Sequence, residues 1–280
     1  MKSRLAVVLS VLLFVLAACS NGGASPTAST STSAAPTTAT SAAAPAALTI
    51  YGAASLKGAL DKVQTAYETA NPGTTLTIST DSSATLETQI EQGAPADVFL
   101  SSDTKNPQTL VDKGLADGDT VRFAGNKLTI VVPTSNPAGI TTPADLAKSG
   151  VKIIAAGDAV PITKYATQLV ANLAKEAGYP ADFVAAYTAN IVSKEDNVKA
   201  VIAKLELGEG DAGIVYVTDA KASSKVATID VPNTANVLAI YAGVVVTASK
   251  NVVAAKAFLT WFAGPDGQAM LSTFGFLPPS

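Results

Sequence analysis

Residues 47–56 read ALTIYGAASL, and this stretch decides how the chain is read. Its first half is a short apolar run with Thr49, Ile50 and Tyr51, the composition of a buried strand. After Ser55 the period changes. Leu56, Leu60, Val63, Tyr67 and Ala70 recur at three- and four-residue spacing and give one apolar helical stripe. Asn71-Pro72-Gly73 stops it. A strand that passes into a helix through small residues and one serine is the repeating unit of an α/β sheet.

The same alternation continues outward. TLTIST (75–80), DVFLSS (97–102), KLTIVV (127–132), VKIIAA (151–156), AGIVYV (212–217) and LAIYAGVVVT (238–247) read as further strands. Helices fall between them: Leu86 and Ile90 before Gly93, Tyr165, Leu169 and Leu173 before Gly178, and Val198, Val201, Ile202 and Leu205 before Gly208. A C-terminal helix carries Phe258, Trp261 and Phe262 and ends at Gly264-Pro265. Such alternation predicts a mostly parallel α/β sheet covered on both faces.

Toward the N-terminus the character is different. Lys2 and Arg4 precede an apolar run from Leu5 to Leu16, shorter than the roughly 20 residues of a membrane span, so residues 1–18 read as a signal peptide. Leu16-Ala17-Ala18-Cys19 resembles a lipobox, where bacterial lipoproteins are cut and acylated on the cysteine. The competing reading is an ordinary secretory peptide with a stray cysteine. Residues 20–46 are almost wholly Ser, Thr, Ala and Pro without charge, so 19–46 is expected to be a lipidated cysteine and a flexible tether.

Composition narrows the chemistry. Without Lys2 and Arg4 there remain 17 basic against 22 acidic residues, a net charge of −5. A mildly acidic chain with no basic cluster argues against nucleic acid. The chain has no histidine, and Cys19 is its one cysteine. That removes His/Cys metal sites, Ser-His-Asp catalysis, thiol catalysis and any intrachain disulfide. The 234 residues from Ala47 onward suffice for one large domain or two lobes.

In open α/β sheets ligands bind beyond the carboxyl ends of strands, where helices begin. Those junctions offer Ser55, then Ser82 and Ser83 in DSSATL (81–86), then GDAVPITKYA (157–166) with Pro161 starting a helix, then SKEDNVKAVI (193–202), where Asp196 or Asn197 caps a helix. Tyr216 stands near the end of GIVY (213–216). Singly, each has an ordinary explanation: a serine before a helix is most often an N-cap, and a strand-end tyrosine most often packs. Together they offer hydroxyls, free N–H groups and a phenol with few fixed charges, a set suited to an oxyanion.

These blocks carry a resemblance. YGAASL, DSSATLETQIEQGAPADVFLSSD (81–103), GNKLTIVV (125–132), GDAVP (157–161) and GDAGIVYVTDA (210–220), in this order, resemble the molybdate-binding proteins of bacterial ABC transporters over residues 48–278. The resemblance implies a two-lobed periplasmic-binding-protein fold with two crossings between lobes. Lobe 1 would be 47–125 with 242–280, and lobe 2 would be 126–241. It places oxyanion contacts on the hydroxyls of Ser55 and Ser83, the backbone N–H groups of Ile162 and Val198, and Tyr216. The small residues of YGAASL would let backbone approach the anion. It further implies molybdate or tungstate as ligand, no cofactor, a membrane permease as partner, and a lipid-anchored monomer outside the cytoplasm.

Two departures bear on the site. Val160-Pro161 is followed by Ile162-Thr163 where many members have a small residue and glycine, so a bulkier side chain stands near the pocket. Asp81 lies two residues before Ser83, and it is expected to point outward or cap the helix. Lys57, Lys164, Lys194 and Lys199 are read as solvated charges, and Arg122 lies outside the motifs. Alternatives are another oxyanion such as sulfate, a surface scaffold, and an enzyme working through Asp81, Asp158 or Asp196.

Overall fold

The structure is a computed structural model that describes residues 45–279; the signal peptide, Cys19 and nearly all of the tether lie outside the described residues. The opening stretch forms β1 (Ala46–Ala53), a 3₁₀ turn (Ala54–Leu56) and α1 (Lys57–Ala70). Leu48 and Ile50 point into the core, as do Leu60, Val63 and Tyr67 of α1. Gly52 is what lets the two elements close on each other: a Cβ there would overlap the Leu60 side chain. The smallness of YGAASL thus serves strand–helix packing at Gly52.

The chain continues as β2 (Thr74–Asp81), α2 (Ser83–Glu91), β3 (Val98–Ser101), α3 (Lys105–Asp112), β4 (Val121–Asn126) and β5 (Leu128–Pro133). Then come β6 (Ile153–Ala156), α4 (Pro161–Leu173), α5 (Phe183–Ala189), β7 (Ile191–Glu195), α6 (Val198–Glu206), β8 (Gly213–Tyr216), α7 (Val217–Lys221) and β9 (Val226–Ile229). The last elements are β10 (Ala239–Val245), α8 (Val252–Ala263) and α9 (Pro265–Thr273). Every strand expected from the pattern is present. β4, β7 and β9 are additional; β7 and β9 are short and bury little, so they lack an apolar signature.

The strands form a five-stranded sheet in the order β2-β1-β3-β10-β4, a three-stranded sheet β8-β5-β9 and a two-stranded sheet β6-β7. β1 pairs in parallel with β2 and β3, and β6 in parallel with β7. β10 is antiparallel to β3 and β4, and β5 to β8 and β9. The antiparallel pairings belong to strands next to which the chain crosses from one sheet group to the other, between β4 and β5 and between β9 and β10. Strand–helix alternation carries no sign of that crossing.

Helices cover the sheets. Tyr67 of α1 meets Phe258 and Trp261 of α8 edge-on, each at 5.0 Å between ring centroids. Phe123 of β4 packs on Phe262 of α8 at 4.9 Å. Such pairs contribute about 1 kcal/mol each beyond their buried area. They fix the C-terminal helices onto the five-stranded sheet. Pro161 starts α4 at its first position, where the missing N–H leaves no bond unmade.

Candidate functional site

The carboxyl ends of six strands converge on one small cavity. Ser55 stands beyond β1, Ser83 beyond β2 and Ser102 beyond β3; Ile162 follows β6, Val198 follows β7, and Tyr216 ends β8. All six line the cavity, completed by Ala54, Ser82, Val160, Pro161 and Asn197. The five residues singled out in the sequence are therefore brought together from both sheet groups, and all are buried. No lining residue carries a formal charge. The centre of a water-sized sphere can occupy about 10 Å³ of it. That is room for one compact ion of a few atoms, and none for a sugar or an amino acid.

Each wall group has a defined local cause. Ser83 opens α2 after the N-cap Ser82, Ile162 lies in the first turn of α4 after Pro161, and Val198 opens α6 after the N-cap Asn197. First-turn N–H groups have no partner within their own helix, and the helix dipole places positive charge there. Asn197 takes two of these donors itself: its Oδ1 accepts the N–H of Lys199 and of Ala200, each at 3.1 Å. The Val198 N–H is left to the cavity wall. Of the two expected caps for α6, the structure selects Asn197.

The hydroxyls are held from behind. Ser83 Oγ accepts the Ser102 N–H at 3.0 Å and lies 3.3 Å from Ser102 Oγ. Ser55 Oγ lies 2.9 Å from Tyr241 Oη. The Tyr216 phenol is fully buried and makes no hydrogen bond of normal geometry, although the Ser102 hydroxyl approaches it. Burial, reinforced by Tyr241, pushes its pKa well above 10, so it stays protonated, and among the described residues its O–H has no partner of normal hydrogen-bond geometry. An unpaired buried hydroxyl costs about 1–3 kcal/mol, which a bound acceptor would relieve.

The Ile162 side chain does not stand free in the cavity. It is buried, belongs to the main core, and also borders a gap shared with Ala156, Tyr187 and Ile214. Asp81 does not line the cavity. It lines an adjoining groove of about 560 Å³ together with Asp158 and Asp196. Its Oδ1 accepts the Ser82 N–H at 2.7 Å and the Asn197 Nδ2–H at 2.9 Å. The second bond joins the end of β2 to the start of α6, two elements from different sheet groups. Asp81 is thus a bridge between halves, neither a helix cap nor a simply outward group.

One of the lysines departs from the expectation of a solvated charge. Lys199 lies 3.2 Å from the carboxylate of Asp219, which is fully buried. Burial raises the Asp219 pKa, opposed by Lys199 and by the Tyr216 N–H. The pair ties the start of α6 to α7 directly behind Val198 and Tyr216. Lys57 and Lys194 form exposed pairs with Asp61 and Asp158, of little energetic weight.

Ser102 was missed in the sequence, although the strand-end rule that finds Ser55 and Ser83 finds it too, at the end of DVFLSS. Tyr241 and Asn126, which stand behind the wall, carried no signal: one sits inside a strand and the other at a strand end that the pattern did not show.

Comparison with known proteins gives this geometry a context. Residues 48–277 match the family of bacterial extracellular solute-binding proteins. Over 233 residues the chain is 31% identical to the molybdate-binding protein ModA of Mycobacterium tuberculosis, covering 83% of this chain and 85% of that protein. It is also 31% identical, over 231 residues, to the putative ABC transporter substrate-binding lipoprotein YvgL of Bacillus subtilis, covering 82% and 85%. Among solved structures, the periplasmic molybdate-binding protein of Azotobacter vinelandii has a TM-score of 0.71 at 24% identity, covering 83% of this chain and 100% of that one. The sulfate-binding protein SubI of M. tuberculosis has a TM-score of 0.74 at 23% identity, covering 83% and 87%. These two likenesses concern the fold. The chain belongs to the bacterial extracellular solute-binding protein family, and its fold is the two-lobed periplasmic-binding-protein architecture that the motifs implied.

Proposed function

We propose that this protein captures molybdate, and tungstate with it, in the cavity at the six strand ends, and passes it to an ABC importer. The observation that carries the proposal is the wall itself: hydroxyls, first-turn N–H groups and one unpaired phenol converge on a space for one compact ion, with no charged side chain. The contacts are the Ser55 and Ser83 hydroxyls, the Ile162 and Val198 N–H groups, and the Tyr216 phenol. A hydrogen bond to a charged group contributes about 1.5–3 kcal/mol net. Five of them, set against an association cost of several kcal/mol, reach the roughly −8 kcal/mol of micromolar binding.

Donors without acceptors select for a fully deprotonated anion. Hydrogen phosphate would bring an O–H with no partner, a loss that costs orders of magnitude in discrimination. Molybdate, tungstate and sulfate all meet the donor-only condition, and separating them would rest on cavity size. Closure of two lobes, 47–125 with 242–280 against 126–241, completes the donor set by hinge motion. Cys19, acylated, would hold the mature chain at the outer face of the membrane through the 20–46 tether. The name of the B. subtilis relative, a lipoprotein, supports that part. The protein would act as a monomer with the permease as its macromolecular partner, without a cofactor and without catalysis.

Isothermal titration calorimetry with molybdate, tungstate, sulfate and hydrogen phosphate tests the proposal. One-to-one binding of molybdate and tungstate, with sulfate at least tenfold weaker and phosphate silent, is expected. Heat with sulfate alone would keep the site and replace the ligand. Silence with all four would overturn the proposal.

A further inference from the structure

Behind Ser55 lies a buried chain of polar atoms that the anion reading does not use. Ser55 Oγ is 2.9 Å from Tyr241 Oη, and each could donate to the other. The ambiguity ends one step back. Asn126 Nδ2 lies 3.3 Å from Tyr241 Oη and 2.9 Å from Thr218 Oγ1. With the Asn126 amide placed this way, at the cost of an Oδ1 that has no partner among the described residues, its N–H only donates and the Tyr241 oxygen accepts from it. Tyr241 is 0% exposed, and among the described residues the acceptor its O–H reaches is Ser55 Oγ. Leaving that O–H unpaired in the core would cost more than directing it there. Ser55 therefore receives a hydrogen from Tyr241, and its own hydrogen turns to the cavity.

On this geometry, and resting on the anion reading above, we propose that Asn126 and Tyr241 are positioning residues that turn the Ser55 hydrogen toward the cavity, making the hydroxyl a donor to the anion and so disfavouring oxyanions that carry a proton. The second serine is set in the same way by a backbone group: Ser83 Oγ accepts the Ser102 N–H. Both hydroxyls thus accept a hydrogen bond from behind; the Ser55 hydrogen is left to the cavity, while the Ser83 hydrogen has Ser102 Oγ at 3.3 Å as its alternative. The Tyr241 phenol keeps its own proton, because burial and then the Asp219 carboxylate push its pKa well above 10.

The relay is built to stay in register. The Tyr241 ring is wedged among Phe276, Tyr216 and Phe123, with centroids at 5.4, 5.6 and 6.1 Å. Asn126 sits at the end of β4, immediately before the chain crosses to β5, and Thr218 lies on α7 in the other sheet group. The atoms that orient Ser55 are therefore anchored where the two halves join.

Tyr241→Phe tests the proposal, since it keeps the ring and its three aromatic contacts and removes only the O–H. The full chain and the variant are titrated with molybdate and with hydrogen phosphate at one pH, and thermal melting confirms folding. Ser55 in the variant can accept as well as donate. Molybdate is expected to weaken three- to tenfold, while phosphate, silent in the parent, becomes measurable, shifting the phosphate-to-molybdate ratio at least tenfold. Asn126→Asp provides a second route: a carboxylate there accepts a hydrogen bond from the Tyr241 O–H, Ser55 then donates backward to the Tyr241 oxygen, and the ratio shifts in the same direction. A purely structural role would weaken both anions together. An unchanged ratio in a folded variant overturns the relay, whereas a parent that binds neither anion overturns the anion reading instead.

Discussion

Asn197 does two jobs with one amide, and Asn197→Asp separates them. The Oδ1 caps α6 by accepting from Lys199 and Ala200, and the Nδ2 donates to Asp81 across the cleft at 2.9 Å. Aspartate caps a helix as well as asparagine does, so α6 should keep its start. Aspartate cannot donate, so the bond to Asp81 is lost, at about 1.5–3 kcal/mol for a charged acceptor. Two carboxylates then face each other at the rim, adding about 1 kcal/mol in a watery setting and more in a drier one. The closed form loses about 3 kcal/mol in all, which lowers molybdate affinity roughly 100-fold by calorimetry. Asn197→Ala makes the opposite trade: it loses the cap, about 1 kcal/mol of stability, yet escapes the repulsion and weakens binding by about tenfold. The two variants should cross over, Asp being the more stable to urea and Ala the tighter binder. Binding by Asn197→Asp within threefold of the parent would refute the bridging role of Asp81.

Three further outcomes follow from the packing and the site. Ser83→Ala should weaken molybdate by about 10- to 100-fold in the same titration, the loss of one hydrogen bond to a charged ligand, and should cost about 1–3 kcal/mol of stability because the buried Ser102 N–H loses its acceptor. Asp145 accepts from the Thr141 and Thr142 N–H groups at 2.8 and 2.9 Å and pairs with Lys148; although burial would raise its carboxyl, these partners hold it well below the usual carboxylate range. Its contribution is therefore full above the unfolded pKa of about 4 and is lost as pH falls toward the lower folded value, so Asp145→Ala should cost about 2 kcal/mol in urea at pH 7 and progressively less below pH 4. Gly267→Ala inverts the expectation from helix propensity: alanine would favour α9 by up to about 1 kcal/mol, but its Cβ would overlap the Phe262 carbonyl, so a net loss of about 1–3 kcal/mol by urea denaturation is expected.

The strands of this fold were legible because burial on both faces demands apolar, β-branched runs, as in KLTIVV and DVFLSS, and burial on one face demands alternation, as in TLTIST. What burial does not demand left no trace. β7 alternates with exposed Val192 and Lys194, α3 begins at Lys105 with mixed polarity, and α9 follows α8 after a single glycine, where one longer pattern had ended. The wall of the site was legible for a different reason. Strand ends and helix starts are positional signals, and Ser55, Ser83 and Val198 each stand at one. Tyr241 and Asn126 act from inside the core, where their sequence neighbourhood reports only packing. Lys199 looked like any helix-surface lysine because its partner, Asp219, is 20 residues away in sequence and buried.

The uncharged wall has a consequence for letting go. Ser55, Ser83 and Ser102 hang from the five-stranded sheet, and Ile162, Val198 and Tyr216 from the other two. Neither set contains a lysine or arginine that would travel with the ion when the halves part. If the proposed contacts hold the ion, removing one set by widening the cleft would forfeit two or three of them at once, on the order of a hundredfold or more in retention. Discharge then needs no competing ion, no change of pH and no chemical step. In the proposed role it would need leverage, and a permease that gripped both halves and spread them by about the length of a hydrogen bond would supply it.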